Sequence, residues 1–326
     1  MSHVPTISLA RYRTGQLTDD EWAALDQACC DHGFFMLTDH GAQSAIDAMW
    51  RASRGFFAAP RDVRLAVLRD EVNPLGYYDR ELTKQKRDLK EVFDFKCGGH
   101  QSRDPNRRTR WPAEPEDFRA ALDEYFAELT GLARETACLV FEAMGLAPDE
   151  ARQLEADSFG ERHTSSARLN HYPSTDPLPP AERDAVNPLG DMALHHHTDP
   201  GGVTLLLQDD VGGLQALSKA HGWIDVPPSG SDFVVNLGDV MQVWTNDRYV
   251  AAVHRVLPVP SGSARFSTPF FYQPRVDAEI QPRHLGEASA PRYRPFTWRE
   301  FIRGRVTDNY ADLGEDDIQI SRYALG

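Results

Sequence analysis

His195-His196-His197-Thr198-Asp199-Pro200-Gly201-Gly202-Val203-Thr204-Leu205-Leu206-Leu207-Gln208-Asp209 joins a histidine run to an apolar run of β-type composition. Successive side chains of a strand alternate between its two faces, so His197 and Asp199 can point together. Outward from this stretch the texture repeats. Ala167 to Tyr172, Gly202 to Leu207, Gly213 to Leu217, Phe233 to Leu237, Val240 to Trp244, Ala251 to Val256 and Arg265 to Tyr272 are short β-type runs parted by Gly, Pro, Asp and Ser turns. Many short strands at close spacing predict a sandwich or a jelly-roll barrel.

Upstream the pattern is mixed. Trp22, Leu25 and Ala28 to Cys29 recur at helical spacing behind Asp19-Asp20-Glu21, which predicts a helix from Thr18 to His32 that Gly33 stops. Phe34 to Leu37 reads as a strand, and Ala42 to Phe57 as a second helix ending near Pro60. Asn73 to Arg110 is irregular and includes a basic stretch, Arg103 to Arg110, read as a solvated loop. Glu114 to Gly145 is the longest helical stretch, with Phe118, Leu122, Tyr125, Phe126, Leu129, Leu132 and Leu139 on one face, and is expected to back a sheet. The fold expected is mainly β with helical additions. Residues 1–112 form an N-terminal α/β extension, and residues 113–326 a jelly-roll core with its backing helix and a C-terminal tail. The tail, Thr297 to Gly326, is expected to close over the barrel mouth.

Composition narrows the function classes. With 41% hydrophobic and 26% charged residues over 326 positions, the chain is neither disordered nor low in complexity. Lys plus Arg number 35 against 49 Asp plus Glu, a formal charge of −14 that repels nucleic acid and anionic membrane surfaces. Cys29, Cys30, Cys97 and Cys138 contain no C-x-x-C pair, which argues against a disulfide framework or a cysteine zinc site and for a reducing compartment. No window reaches 18 uninterrupted apolar residues, and Met1 to Gln16 lacks a signal-peptide core. A cytoplasmic protein, monomeric or weakly dimeric, acting on a small molecule is the expectation.

A metal held by His197 and Asp199 needs a third ligand, and His254 lies in a later strand-like run, Val253-His254-Arg255-Val256, that a closed barrel can bring alongside. Two histidines and a carboxylate on one side of a metal leave positions open for a co-substrate and O2, the arrangement of non-haem Fe(II) oxygenases. Taken alone, a His-x-Asp pair is more often a structural hydrogen bond. Its company changes the weight. Arg265-Phe266-Ser267 again places two polar side chains on one strand face, offering a guanidinium fork and a hydroxyl to a carboxylate.

These residues resemble the isopenicillin N synthase-like group of Fe(II)/2-oxoglutarate-dependent oxygenases. Gly33-Phe34-Phe35 to His40-Gly41 is similar to that family's N-terminal module. His197-Thr198-Asp199, Asn236-Leu237-Gly238-Asp239, Gln242-Val243-Trp244-Thr245-Asn246, His254-Arg255-Val256 and Arg265-Phe266-Ser267 follow in the family's order. The resemblance implies a double-stranded β-helix (jelly-roll) core with His197, Asp199 and His254 as iron ligands. It implies that Arg265 and Ser267 hold the distal carboxylate of 2-oxoglutarate, with Asn170 and Tyr172 also contacting this co-substrate. Hydroxylation, desaturation or ring closure of a small molecule, with release of succinate and CO2, is the activity implied.

His171, between Asn170 and Tyr172, is expected on the opposite strand face. His195 shares the parity of His197 and is expected near the metal without ligating it, while His196 faces away and Trp244 and Phe270 belong to the core. Tyr77, Phe93, Phe95, Arg168 and Phe271 are candidates for the substrate wall. Three alternatives stay open: an iron oxidase of the isopenicillin N synthase or aminocyclopropane oxidase type that does not use 2-oxoglutarate, a non-catalytic jelly-roll binding module, and a zinc hydrolase.

Overall fold

Along the Val203–Gln208 strand, Val203, Leu205 and Leu207 enter a large core while Thr204 and Leu206 face a cavity on the other side. This alternation sorts the whole molecule. The computed structural model describes residues 4–83, 86–228, 230–283, 290–308 and 319–325. An eight-stranded sheet runs in the order Thr6–Ser8, Phe34–Thr38, Phe233–Leu237, Val203–Gln208, Ala264–Tyr272, Ser166–Pro173, Glu91–Phe95, Gly76–Tyr78. All its pairings are antiparallel except that of Thr6–Ser8 with Phe34–Thr38. A four-stranded sheet, Gly222–Asp225, Leu214–Ser218, His254–Val256, Leu194–His197, forms the other wall of the jelly roll.

One face of the large sheet packs on helices. The Phe118–Ala143 helix buries Phe118, Leu122, Tyr125, Phe126, Leu129, Leu132 and Leu139, the apolar stripe expected of a backing helix. Phe233, Val235, Leu237, Leu169 and Phe270 meet it in the same core. A smaller core, with Phe34, Tyr172, Leu214, Ile224, Val234 and Val256, lies between the two sheets. Asp19–Asp31 is capped by reciprocal Thr18 and Glu21 bonds, and Gly33 at φ +72° turns the chain into the Phe34–Thr38 strand.

The N-terminal segment supplies four strands of the large sheet, two at each edge, so its packing is continuous with the core that follows. Two expected strands change. Asp239–Trp244 is a short helix, because Val240, Val243 and Trp244 have the i, i+3, i+4 spacing that buries one helical face. The run from Ala251 is a strand only over His254–Val256. Trp298–Asp308 is the C-terminal helix; tail residues 309–318 and 326 lie outside the described residues.

Candidate active site

His197 ends its strand and pairs directly with His254, which brings the two imidazoles to 4.3 Å between centroids. Asp199 follows in the connection to Val203, beyond the end of the strand, so the pair shares a face through a turn and not through strand alternation. One ligand atom from each of His197, Asp199 and His254 lies within 4.8 Å of the others. His197 Nδ1 lies 2.9 Å from the His195 carbonyl and His254 Nδ1 2.9 Å from that of Ala252, so each ring donates backward and leaves Nε2 free. Thr204 Oγ1 and Asn236 Nδ2 donate to Asp199 Oδ2 at 2.6 and 2.8 Å, leaving Oδ1 on the side of His197 Nε2, 3.8 Å away. Three free lone-pair donors converging in this way fit a divalent metal.

The charges suit that purpose. Burial, and then the neighbouring His254, pushes the His197 imidazole down to about 3, so it is neutral near pH 7. Burial favours the protonated form of Asp199, but His254 and His197, then Thr204 and Asn236, outweigh it and keep the carboxylate low. The turn carrying Asp199 is pressed against Gly238. A Cβ there would come within 2.2 Å of the Gly201 carbonyl and 2.8 Å of that of Asp199, so only glycine permits the approach.

Arg265 is 1% exposed, donating to Gln208 Oε1 at 3.0 Å and Ser267 Oγ at 3.3 Å, with its guanidinium 5.0 Å from the Tyr172 ring centroid. Asn170 Nδ2 reaches the same Ser267 hydroxyl at 3.3 Å. No carboxylate among the described residues pairs with Arg265, and its Nε has no partner there. A buried cation held only by neutral groups fits an anionic ligand.

A cavity of about 80 Å³ joins these groups, lined by the triad together with Asn170, Tyr172, Arg265, Ser267, Lys90, Arg168 and Phe271. Of the proposed substrate wall, Arg168 and Phe271 therefore reach the cavity. Tyr77, Phe93 and Phe95 do not: they lie in the helix-facing core, fully buried. The reason is register. Phe93 pairs with Leu169 and Phe95 with Ala167, both on the helix-facing side, whereas Asp94 pairs with the inward Arg168. Trp244 and Phe270 are core residues as expected.

His171 does face away, stacked on Phe266 with Nδ1 2.8 Å from Glu91 Oε2. His195 is not in the metal cluster; its ring lies 3.2 Å from both Asp88 and Asp191, and its carbonyl orients His197. His196 is exposed beside Trp223.

Residues outside the sequence-based set complete the site. Thr204 and Gln208 share parity along one strand, and that alternation was the available clue. Lys90 had none: it sits in irregular sequence and is positioned by Glu81 at 2.8 Å and Asp88 at 3.2 Å. Burial works against its ammonium, but those carboxylates outweigh it and raise its pKa. Arg168 bonds both Glu81 and Asp94.

Comparison with known proteins agrees with this geometry. Residues 164–274 match the 2OG-Fe(II) oxygenase superfamily, and residues 4–114 match the family described as non-haem dioxygenase in morphine synthesis N-terminal. The chain is 32% identical over 313 residues to jasmonate-induced oxygenase 2 of Arabidopsis thaliana, covering 93% of this chain and 80% of that protein. It is 32% identical over 286 residues to flavanone 3-dioxygenase of Petroselinum crispum, covering 86% and 73%. The crystal structure of JOX2 in complex with 2OG, Fe and JA superposes with a TM-score of 0.78 at 26% identity, over 99% of this chain and 89% of that one. With the jelly roll, the convergent triad and the buried Arg265 in place, these matches make the chain a member of the 2-oxoglutarate- and Fe(II)-dependent oxygenase superfamily.

Proposed function

We propose that His197, Asp199 and His254 hold Fe(II), that Arg265 and Ser267 hold the distal carboxylate of 2-oxoglutarate beside Asn170 and Tyr172, and that the substrate approaches past Lys90, Arg168 and Phe271. The observation that carries this is the uncompensated Arg265 guanidinium, buried in the same cavity as the triad. Bound at the triad, Fe(II) supplies the O2-dependent chemistry by which 2-oxoglutarate becomes succinate and CO2 and a substrate C–H bond is oxidised.

The chain's own residues do the positioning. The backward hydrogen bonds of His197 and His254 fix both tautomers with Nε2 toward the metal, and Thr204 and Asn236 fix the Asp199 carboxylate. Arg265 neutralises the co-substrate where water is excluded, which makes its hydrogen bonds count for more. On the substrate side, Lys90 and Arg168 present donors already steadied by Glu81, Asp88 and Asp94, next to the apolar Pro269 and Phe271. That wall suits a small, partly apolar molecule bearing a polar group, and JA in the JOX2 complex supports a small-molecule substrate. Four free cysteines support a reducing, cytoplasmic setting.

The test is anaerobic addition of Fe(II) and then 2-oxoglutarate, reading the visible charge-transfer band in wild type and in Arg265→Ala. A band in wild type that weakens in the variant supports the assignment, and succinate release then screens candidate substrates. Iron binding without a band in wild type removes the 2-oxoglutarate assignment; no iron binding removes the ligand set.

A further inference from the structure

The connection from His197 to Val203 carries Asp199, so its shape sets where that carboxylate stands. Most of its backbone is held by the chain around it. Asp239 N donates to the Asp199 carbonyl at 2.8 Å, Val240 N to Gly201 at 3.2 Å and Gly238 N to Gly202 at 2.9 Å, while Gly202 N donates to Tyr272 at 3.0 Å. The carbonyl between the two ligands is held differently. Thr198 O accepts from Arg305 Nη2 at 2.8 Å, a side chain 107 residues away on the C-terminal helix.

Arg305 is delivered there by a firmly seated element. Trp298 opens the helix with its backbone N–H on the Ala278 carbonyl at 2.9 Å and its indole N–H on Thr164 Oγ1 at 2.8 Å. Phe301, one turn on, is fully buried. Two turns from the start, Arg305 is 7% exposed and lies 3.9 Å from the carboxylate of Asp239. That carboxylate belongs to the residue whose backbone N–H grips Asp199. The guanidinium therefore joins the carbonyl at 198 to the segment that secures 199.

We propose that Arg305 is a positioning residue for the metal site, so that docking of the C-terminal helix and metal loading are energetically linked. The inference relies on His197, Asp199 and His254 being the ligands. Linkage is reciprocal: if the docked helix favours the metal, the metal must favour the docked helix by the same factor. Loss of a group that orients a metal ligand weakens metal affinity by about 10- to 100-fold.

Mn(II), a redox-quiet probe, tests this without turnover. Its affinity is measured from the free-ion electron paramagnetic resonance signal for wild type, Arg305→Met, Arg305→Lys and the double variant Arg305→Met/Asp239→Asn. The double variant removes the Arg305 and Asp239 charges together, so that the folded protein is not asked to bury one of this pair without the other. Affinity is expected to fall on the order of tenfold in Arg305→Met and in the double variant, with partial recovery in Arg305→Lys. In wild type, Mn(II) is expected to slow amide hydrogen exchange across Trp298–Asp308, and in Arg305→Met to leave it unchanged. A double variant with wild-type circular dichroism and Mn(II) affinity within about twofold of wild type overturns the proposal, since the expected loss is on the order of tenfold. His197→Ala binding Mn(II) as tightly as wild type instead overturns the ligand set beneath it.

Discussion

Asn236 Nδ2 donates to Asp199 Oδ2 at 2.8 Å from the strand paired with Val203–Gln208, where it stands directly across from Thr204. With Thr204 on the same oxygen, it aims Oδ1 at the triad. Asn236→Leu keeps the volume and removes the donor, so the protein is expected to fold and to bind Fe(II) about 10- to 100-fold more weakly. Anaerobic titration measures this directly; unchanged affinity would mean that Thr204 and the turn orient the carboxylate without Asn236.

Arg265 predicts opposite effects on the free and the liganded protein. Its burial without a carboxylate costs stability until an anion arrives. Arg265→Met is therefore expected to melt no lower than wild type when free, yet to lose the rise in melting temperature that 2-oxoglutarate gives. At 100 times its dissociation constant a ligand adds about 2.7 kcal/mol, and that increment is what the variant should lack. A variant that still gains it would place the co-substrate elsewhere.

Phe93 and Phe271 lie on strands of the same sheet but on opposite faces, and their substitutions should separate stability from recognition. Phe93→Ala opens a hole among Phe56, Trp111 and Phe118 and is expected to cost about 3–5 kcal/mol in urea unfolding. Its Michaelis constant for a substrate found by the succinate screen should stay near the wild-type value. Phe271→Ala should raise that constant with a smaller loss of stability. The reverse pattern would restore Phe93 to the substrate wall.

The contrast shows what was legible. Parity within one strand places His171 away from Asn170, and Arg265 with Ser267, because alternation is a local property. Ordered motifs placed the triad and the jelly roll. Whether Phe93 shares a face with Asn170 or with Leu169 depends on register between strands more than 70 residues apart, which no local pattern encodes. Lys90 is a cavity residue because Glu81 and Asp88 converge on it, and Arg305 reaches Thr198 only through the folded helix. Val240 to Trp244 fits both a buried strand and a one-sided helix, and tertiary packing chose the helix.

His163, which is not among the residues lining the cavity, makes the fold sensitive to acid. It is 3% exposed, stacked 3.8 Å from the His100 ring and tilted against Tyr272, and neither ring nitrogen has a hydrogen-bond partner among the described residues. Burial, then the nearby His100, Arg134 and Lys96, pushes its imidazole down to about 3 from 6.5. Between those two values the unfolded chain binds the proton and the folded one does not, so stability falls as the pH falls through that window and is unaffected above it. The slope it contributes is on the order of 1 kcal/mol per pH unit. His163→Phe keeps a stacking ring and removes the titrating nitrogens. Urea unfolding at pH 7, 6 and 5 should therefore show a shallower loss for the variant than for wild type. Parallel lines would mean that the buried ring takes up its proton in the folded protein as readily as in the unfolded chain.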